Sequence, residues 1–127
     1  MEITIGGDTV DIDISRVKGE AEAALEQYLQ GEPVEFDHPV DLGDLSPFNR
    51  KILEEVRKIP YGETRTYQEV ADMFGNPGAV QAIGQACKNN PVPIIIPCHR
   101  VVAEDGIGGY KHGEDVKRAL LEMEGAL

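Results

Sequence analysis

Alternating hydrophobic and polar positions at the start of the chain predict a β-hairpin. Apolar residues occupy every second position on either side of a Gly6-Gly7-Asp8 segment: Ile3, Ile5, Val10, Ile12 and Ile14. Such alternation places the apolar side chains on one face of a strand, and a pair of glycines supports the tight turn between two strands. We therefore predict two short antiparallel strands at the start of the chain.

A change from period two to helical spacing follows the hairpin. Between residues 16 and 30 the apolar positions fit one face of a helix: Val17, Ala21, Ala24, Leu25, Tyr28 and Leu29. Gly31-Glu32-Pro33 ends this helix, and residues 32–45, with two prolines and five acidic residues, indicate an extended connector. We therefore predict an N-terminal α/β part over residues 1–45 and a second unit over residues 46–127.

The second unit opens with helical patterns. Ser46 is suited to the N-cap position and Pro47 to the first turn of a helix that reaches about residue 58. A capping-box pattern begins a short helix over residues 66–74, Gly75 stops it, and another helix is predicted over residues 77–88. Two short helices with a tight turn indicate a helix-turn-helix. The pattern fits an ordinary helical hairpin equally well.

Three consecutive isoleucines, residues 94–96, lie between prolines and predict a buried, irregular segment that ends on Cys98-His99. A chain that crosses the core in this way delivers a thiol to the floor of a cavity. The glycine-rich segment 106–113 indicates a hairpin or wing, and a last helix is predicted over residues 114–124. The fold class is therefore α+β, with a short hairpin-and-helix part packed on a helical, winged-helix-like domain.

The net charge of −11 argues against nucleic-acid binding, because phosphates attract lysine and arginine. The charge is unevenly distributed, however. Residues 1–45 carry 12 acidic residues against Arg16 and Lys18, whereas residues 46–127 carry 11 acidic against 10 basic residues. Residues 76–103 have no acidic residue at all. One local surface is therefore open to a polyanion.

Composition limits the cellular location and the kinds of cysteine chemistry that the chain could have. No apolar run is long enough to span a bilayer and no signal-peptide pattern is present, so we expect a cytoplasmic protein without a membrane partner. Two cysteines cannot make a disulfide scaffold, and no Cys/His metal spacing occurs. We interpret Cys87 as a small buried apolar residue. Cys98 beside His99 fits a thiol hydrolase as well as a transferase.

The segment Pro97-Cys98-His99-Arg100-Val101 resembles the active-site signature of the O6-alkylguanine-DNA alkyltransferases. Further segments resemble the family in the same order: IPYGET (59–64), TYQEVA (66–71), GNP (75–77), NPVPI (90–94), GGY (108–110) and LLEMEG (120–125). The resemblance is strong from about residue 46 to 125 and faint over residues 21–44. The N-terminal part is short for this family.

The resemblance implies stoichiometric, irreversible transfer of an alkyl group from O6-alkylguanine in duplex DNA to Cys98. His99 would accept the thiol proton through a water, and Glu124 would orient and stabilise His99. Arg100 would mainly tie down the active-site loop, and we also count it among the residues that contact substrate or DNA. No cofactor is needed, and with only His38 as a Cys/His ligand in the N-terminal part we expect no structural metal.

The resemblance also assigns residues around the cysteine. Asn90 would be the hinge that ties the helix-turn-helix to the cysteine loop. Tyr67 would donate toward the guanine and protonate the leaving base. Pro93, Val101 and Tyr110 would line the base pocket, partly through backbone groups.

In this family the second helix of the helix-turn-helix enters the minor groove and the target nucleotide is flipped out. The acid-free stretch covers this helix, where Lys88 would contact DNA. The family usually has an arginine that fills the vacated stack, and Gln81 stands at that position here. We expect a monomer that binds double-stranded DNA containing O6-alkylguanine. The alternatives are a non-enzymatic lesion-binding protein that flags damage for excision repair, whose relatives lack the active cysteine, and a cysteine hydrolase without DNA dependence.

Overall fold

The computed structural model describes all residues, 1–127. Its helices are α1 (Ala21–Leu29), α2 (Pro47–Val56), α3 (Tyr67–Met73), α4 (Val80–Lys88) and α5 (Glu114–Met123). Its strands are β1 (Glu2–Ile5), β2 (Asp8–Asp11), β3 (Arg65–Thr66) and β4 (Val101–Val102). The mixture of helices with two small sheets confirms the α+β class. None of the helices is both long and apolar enough to cross a bilayer.

The N-terminal hairpin forms as the alternation predicts. Strands β1 and β2 pair antiparallel, with Ile3 opposite Val10. Gly6 and Gly7 join the strands with φ angles of 58° and 86°. A two-residue turn with both φ angles positive matches the right-handed twist of the paired strands, and glycine adopts those angles without a steric cost.

Helix α1 begins later than the predicted residue 16. A 3₁₀ turn covers Ile14–Arg16, and Val17 forms an antiparallel bridge with Val40 of the connector. Gly19 then has a φ angle of 99°, which interrupts a right-handed helix. The predicted start was wrong because this stretch pairs with the connector, a contact that helical periodicity does not reveal.

The starts of α2 and α3 follow their capping residues. The Ser46 hydroxyl accepts a hydrogen bond from the backbone N–H of Asn49 at 3.1 Å. Thr66 and Glu69 form a complete capping box, in which each side chain accepts from the backbone N–H of the other. Both predictions of an N-cap are confirmed.

Helices α3 and α4 pack against each other and against α2. Gly75, with a φ angle of 84°, makes the turn after α3. Helix α4 begins at Val80 and not at the predicted residue 77, because the Asn76 side chain accepts from the N–H of Gly78 at 3.2 Å and holds a separate turn there. The connection therefore takes up three more residues than the pattern indicated.

The predicted hairpin or wing over residues 106–113 is absent. This segment contains no strand, and its only bridge is an isolated one between its first residue, Gly106, and Ala103. Instead β4 pairs in parallel with β3, and the Lys117 ammonium holds the loop by donating to the carbonyl oxygen of Gly109 at 3.1 Å. Side-chain anchoring replaces the strand pairing that the glycines suggested.

A single cluster of 24 buried residues runs through both parts of the chain, from Ile3 in the hairpin to Leu120 in α5. The three isoleucines of residues 94–96 lie inside it, each no more than 1% exposed, as predicted. Ile94 has a φ angle of 74°, which a β-branched residue rarely adopts. The division at residue 45 stays a prediction.

Candidate active site

Cys98 lies at the start of a short 3₁₀ turn, Cys98–Arg100, immediately after the buried isoleucines. Its backbone N–H donates to the carbonyl oxygen of Ile96 at 2.9 Å, and the residue is 3% exposed. Pro97 restricts the backbone before the turn. The sequence thus delivers a thiol into the interior.

Asn90 connects the end of α4 to this thiol. Its side-chain amide donates to the Ile96 carbonyl oxygen at 2.8 Å and to Cys98 Sγ at 3.3 Å. Its side-chain oxygen accepts from the N–H of Val92 at 3.0 Å. Asn90 therefore occupies the hinge position that the resemblance implied, and it uses both ends of its amide to fix the loop.

The resting state of Cys98 is the thiol. Burial, followed by the adjacent thiol of Cys87, raises the pKa of Cys98 well above its usual value, while the Asn90 hydrogen bond and the charge of Lys117 act in the opposite direction. A nucleophilic thiolate here requires a base that removes the proton as the reaction proceeds.

His99 is the candidate for such a base. Its Nε2 lies 2.7 Å from Oε2 of Glu124, and both side chains are fully buried. Because the carboxylate can only accept, Nε2 carries the hydrogen, which leaves Nδ1 with a free lone pair. Nδ1 is buried and has no hydrogen-bond partner within the chain. Burial lowers the pKa of His99 despite the carboxylate, so the imidazole is neutral and able to accept a proton.

Glu124 is held from several directions. Arg100 donates to both carboxylate oxygens, from Nε at 2.9 Å and from Nη2 at 3.0 Å. The Tyr28 hydroxyl donates to Oε2 at 2.5 Å, and the backbone N–H of Gly62 donates to Oε1 at 3.2 Å. Burial alone would raise the pKa of Glu124, but the hydrogen bonds from His99, Arg100 and Tyr28 outweigh it and lower the pKa to about 2.

A pocket of about 530 Å³ opens beside Cys98, within the roughly 300–1,000 Å³ typical of small-molecule sites. It lies between α3, α4 and the glycine-rich loop, and its lining residues are Tyr67, Gly84, Cys87, Lys88, Cys98, Gly109, Tyr110 and Lys111. Two aromatic rings offer stacking surfaces to a flat ligand. The Tyr110 hydroxyl is buried without a partner, so it is free to hydrogen-bond a ligand.

The predicted site residues separate into four groups, of which three lie in, behind or next to the pocket. Cys98, Tyr67, Tyr110 and Lys88 line the pocket, while His99, Glu124 and Asn90 lie behind it as a buried support. Gln81 is exposed on α4, in a shallow depression that shares Gly84 and Lys88 with the pocket.

Three residues predicted to contact the substrate do not line the pocket. Arg100 is 6% exposed and directs its donors to Glu124 and to the carbonyl oxygen of Ile59, as expected for a residue that ties down the loop. The expectation that it also contacts substrate or DNA stays a prediction. Pro93 and Val101 are both buried away from the lining. The Val101 carbonyl oxygen accepts from the Lys117 ammonium at 2.6 Å, which occupies the backbone group expected to face a base.

Four residues near the site were not predicted as functional: Tyr28, Cys87, Lys111 and Lys117. Cys87 packs against the core, as interpreted from the sequence, but it is only half-buried and also lines the pocket. Lys117 is fully buried, and its Nζ lies 5.9 Å from the ring centroid of Tyr67. Burial lowers the pKa of Lys117 to about 8. A lysine on the apolar stripe of α5, four residues before Leu121, was the available signal.

No group of three or more His, Cys, Asp or Glu side chains lies close enough to hold a metal ion. The groups that the site does contain are a thiol, an imidazole with its carboxylate, and two tyrosines. Such a set is suited to nucleophilic chemistry at carbon.

Comparison with known proteins identifies the family. Residues 47–126 match the family described as 6-O-methylguanine DNA methyltransferase, DNA binding domain. The methylated-DNA–protein-cysteine methyltransferases of Saccharolobus islandicus and Saccharolobus solfataricus are each 46% identical over 101 residues, which is 80% of this chain and 65% of theirs.

Solved structures of similar proteins point to the same family. Mycobacterium tuberculosis OGT in complex with DNA has 47% identity and a TM-score of 0.77, over 82% of this chain and 63% of that chain. Schizosaccharomyces pombe Atl1, in complex with damaged DNA containing O6-carboxymethylguanine, has 34% identity and a TM-score of 0.57, over 64% of this chain and 78% of that chain. This chain thus spans 65% of the length of the curated relatives it matches.

The fold and the site define a protein with a buried cysteine at a pocket beside a pair of packed helices. With the family match over residues 47–126, the chain belongs to the 6-O-methylguanine DNA methyltransferase family. The resemblance recognised in the sequence is confirmed.

Proposed function

We propose that this chain repairs alkylated DNA by moving the alkyl group of O6-alkylguanine, typically methyl, onto Cys98. The observation that carries the proposal is the arrangement behind the pocket, where Asn90 contacts Sγ and His99 is held by Glu124 with its Nδ1 free. Family membership supports the same chemistry. Relatives with matching segments are named methylated-DNA–protein-cysteine methyltransferases.

The first step is removal of the thiol proton. His99 Nδ1 accepts it, through a bridging water, and Glu124 stabilises the imidazolium that results. Because Glu124 has a pKa of about 2, it stays ionised throughout the physiological range and does not itself take the proton. The Asn90 amide and the ammonium of Lys117 favour the developing thiolate.

The second step is an in-line displacement. The new bond joins Sγ to the alkyl carbon, the bond between that carbon and guanine O6 breaks, and its electron pair leaves with the guanine. The Tyr67 hydroxyl donates a proton to the leaving base and regains one from solvent. The product on Cys98 is a thioether, which no group in the site is able to displace. Each molecule therefore acts once.

The DNA would lie across α4 and the mouth of the pocket. Exposed Lys88 and Lys111 are the cations beside the pocket, and no acidic residue lies between residues 76 and 103. Small residues on α4, such as Ala82 and Gly84, allow its close approach to a DNA backbone. A guanine inside a duplex hides its O6, so the nucleotide must be flipped into the pocket at a cost of a few kcal/mol.

In this proposal α4 enters the minor groove and Gln81 stands where the vacated base was. A glutamine is able to hydrogen-bond the orphaned base but brings no charge. One chain acts as a monomer, with residues 46–127 binding and reacting and residues 1–45 supporting them.

A second candidate is a lesion-binding protein without transfer activity, which the structural similarity to Atl1 brings into consideration. The presence of Cys98 with its hydrogen-bonded support favours transfer. We propose to incubate the chain with excess duplex that carries a labelled O6-methylguanine. The expected result is label on the protein that stops at one methyl per chain, and none on Cys98→Ala. Lesion binding without transfer by the unmodified chain would instead indicate the second candidate.

A further inference from the structure

A residue from the N-terminal part reaches the support of the proposed active site. Tyr28, near the end of α1, is fully buried, and its hydroxyl donates to Oε2 of Glu124 at 2.5 Å. The two residues are 96 positions apart, and Tyr28 lies outside the segment 47–126 that matches the family. The N-terminal part therefore does more than cover the core.

The oxygen that Tyr28 contacts is the one that faces the base. Oε2 of Glu124 lies 2.7 Å from His99 Nε2 and 3.0 Å from Arg100 Nη2. A hydrogen bond from Tyr28 to the same atom draws negative charge away from His99 and restricts the rotation of the carboxylate. The hydroxyl thus acts on both the position and the electrostatic strength of Glu124.

Tyr28 remains a donor at every relevant pH. Burial, then the neighbouring charge of Glu124, raises the pKa of Tyr28 far above its usual value. The ring is held separately from the hydroxyl, since its centroid lies 5.8 Å from that of Phe36 and 6.0 Å from that of Tyr61. Loss of the oxygen alone therefore leaves the ring packing in place.

We propose that Tyr28 is a positioning residue for alkyl transfer, which holds Glu124 and thereby sets the orientation and basicity of His99. This inference rests on the proposed transfer to Cys98. It predicts that a hydroxyl in α1 controls a proton acceptor beside the thiol, although Tyr28 touches neither the pocket nor Cys98.

The test is Tyr28→Phe, compared with Tyr61→Phe as the matched control. Tyr61 packs edge-on against Tyr28, and its hydroxyl is not among the hydrogen-bond partners of the Glu124 carboxylate. We expect Tyr28→Phe to slow single-turnover transfer about ten-fold, the effect of one hydrogen bond to a charged group. When Tyr28→Phe is introduced into a protein that already carries Glu124→Gln, it should slow transfer much less, because the carboxylate on which Tyr28 acts is gone. Tyr61→Phe should transfer at the original rate.

A second readout separates positioning from mere packing. Without the hydroxyl, Glu124 presents more charge to His99, so the pKa of His99 rises and the fall of the transfer rate in acid begins at a higher pH. The same shift is measurable without any reaction, by NMR titration of the His99 imidazole in both proteins. The chain has three histidines, and substitution of His38 and His112 assigns the signals.

The outcomes are distinct. An unchanged His99 titration and an unchanged rate in a folded Tyr28→Phe protein would overturn the inference. If the unmodified chain transfers no alkyl group, the proposed function fails, yet the His99 titration still decides whether Tyr28 tunes the base. Thermal unfolding of both phenylalanine variants checks that the fold is retained.

Discussion

At the scale of single residues, the site depends on buried polar side chains that are hydrogen-bonded to one another and to the backbone, with His99 Nδ1 left free. Asn90, His99, Arg100 and Glu124 are each no more than 6% exposed. A buried polar group that loses its partner costs about 1–3 kcal/mol, and more if it is charged. Substitutions here should therefore affect stability and thiol chemistry together.

Asn90→Ala is predicted to lower the free energy of unfolding by about 1–3 kcal/mol, because the Ile96 carbonyl oxygen and the Val92 N–H lose their partner. It should also raise the pKa of Cys98, since the donor to Sγ disappears. Denaturant unfolding and thiol titration measure the two effects. Asn89→Ala, at the exposed neighbouring position, is the control and should change neither. Equal behaviour of the two variants would contradict the role given to Asn90.

The lowered pKa of Glu124 predicts that the folded protein loses stability in acid. Its pKa is lowered from 4.5 to about 2 in the folded protein. Its ionised form therefore contributes stability that is present above about pH 4.5 and is lost as the pH falls through 2. A difference of this size corresponds to about 3 kcal/mol.

The measurement is the free energy of unfolding against pH for the unmodified chain and Glu124→Gln. The gap between them should be wide at neutral pH, where the variant leaves Arg100 without its carboxylate, and should narrow below pH 4.5. A difference in unfolding free energy that stays constant down to pH 2 would contradict the claim that the hydrogen bonds to the ionised Glu124 carboxylate stabilise the fold.

At the scale of elements, α4 lines the pocket on one side and, in the proposed function, presents its outer face to DNA. Its inner face buries Ile83 and Ala86, and its outer face exposes Gln81, Gln85 and Lys88. The two glutamines are one helical turn apart on the same side. This spacing makes one of them a control for the other.

Gln81→Arg is predicted to tighten binding to duplex DNA and to speed transfer from it about ten-fold, because a longer, charged side chain better fills the vacated stack. It should not change the reaction with free O6-methylguanine, which requires no flipping. Gln81→Ala should be slower than the unmodified chain on duplex DNA. Gln85→Arg adds the same charge one turn away. If it accelerates duplex repair as much as Gln81→Arg does, general charge and not insertion at residue 81 is responsible.

Lys88→Glu is predicted to weaken DNA binding and to reduce the slope of log affinity against log salt concentration, since a phosphate contact is lost. Lys18→Glu makes the same change in net charge at an exposed position in the acidic N-terminal part. Fluorescence titrations over a range of salt concentrations compare the two. Binding that is equally sensitive to both substitutions would place the DNA elsewhere on the molecule.

At the scale of the whole molecule, local signals were sufficient wherever neighbouring residues decide the structure. The glycine pair at the hairpin turn and the capping box at Thr66 depend on residues within a few positions, and both formed as predicted. The burial of the isoleucine run was also predictable from the run itself, because three consecutive apolar side chains must be covered by the core.

Features that depend on distant residues were missed. Periodicity could not show that Val17 pairs with Val40, or that Lys117 anchors the glycine-rich loop in place of strand pairing. Tyr28 was seen only as part of an apolar face, since nothing local links it to Glu124. Cys98 and His99 were recognised from one contiguous motif. The hydrogen bonds from distant residues that hold Glu124 became visible only in the folded chain.

The central claim is that Cys98, and not its neighbour Cys87, receives the alkyl group. Both thiols line the pocket, and they are the only two cysteines in the chain. Mass spectrometry of the intact protein and of its peptides, after incubation with duplex DNA containing O6-methylguanine, tests this directly. We predict one methyl group in place of one thiol hydrogen, located on Cys98, with Cys87 unmodified. An unchanged mass, or a methyl group on Cys87, would contradict the account.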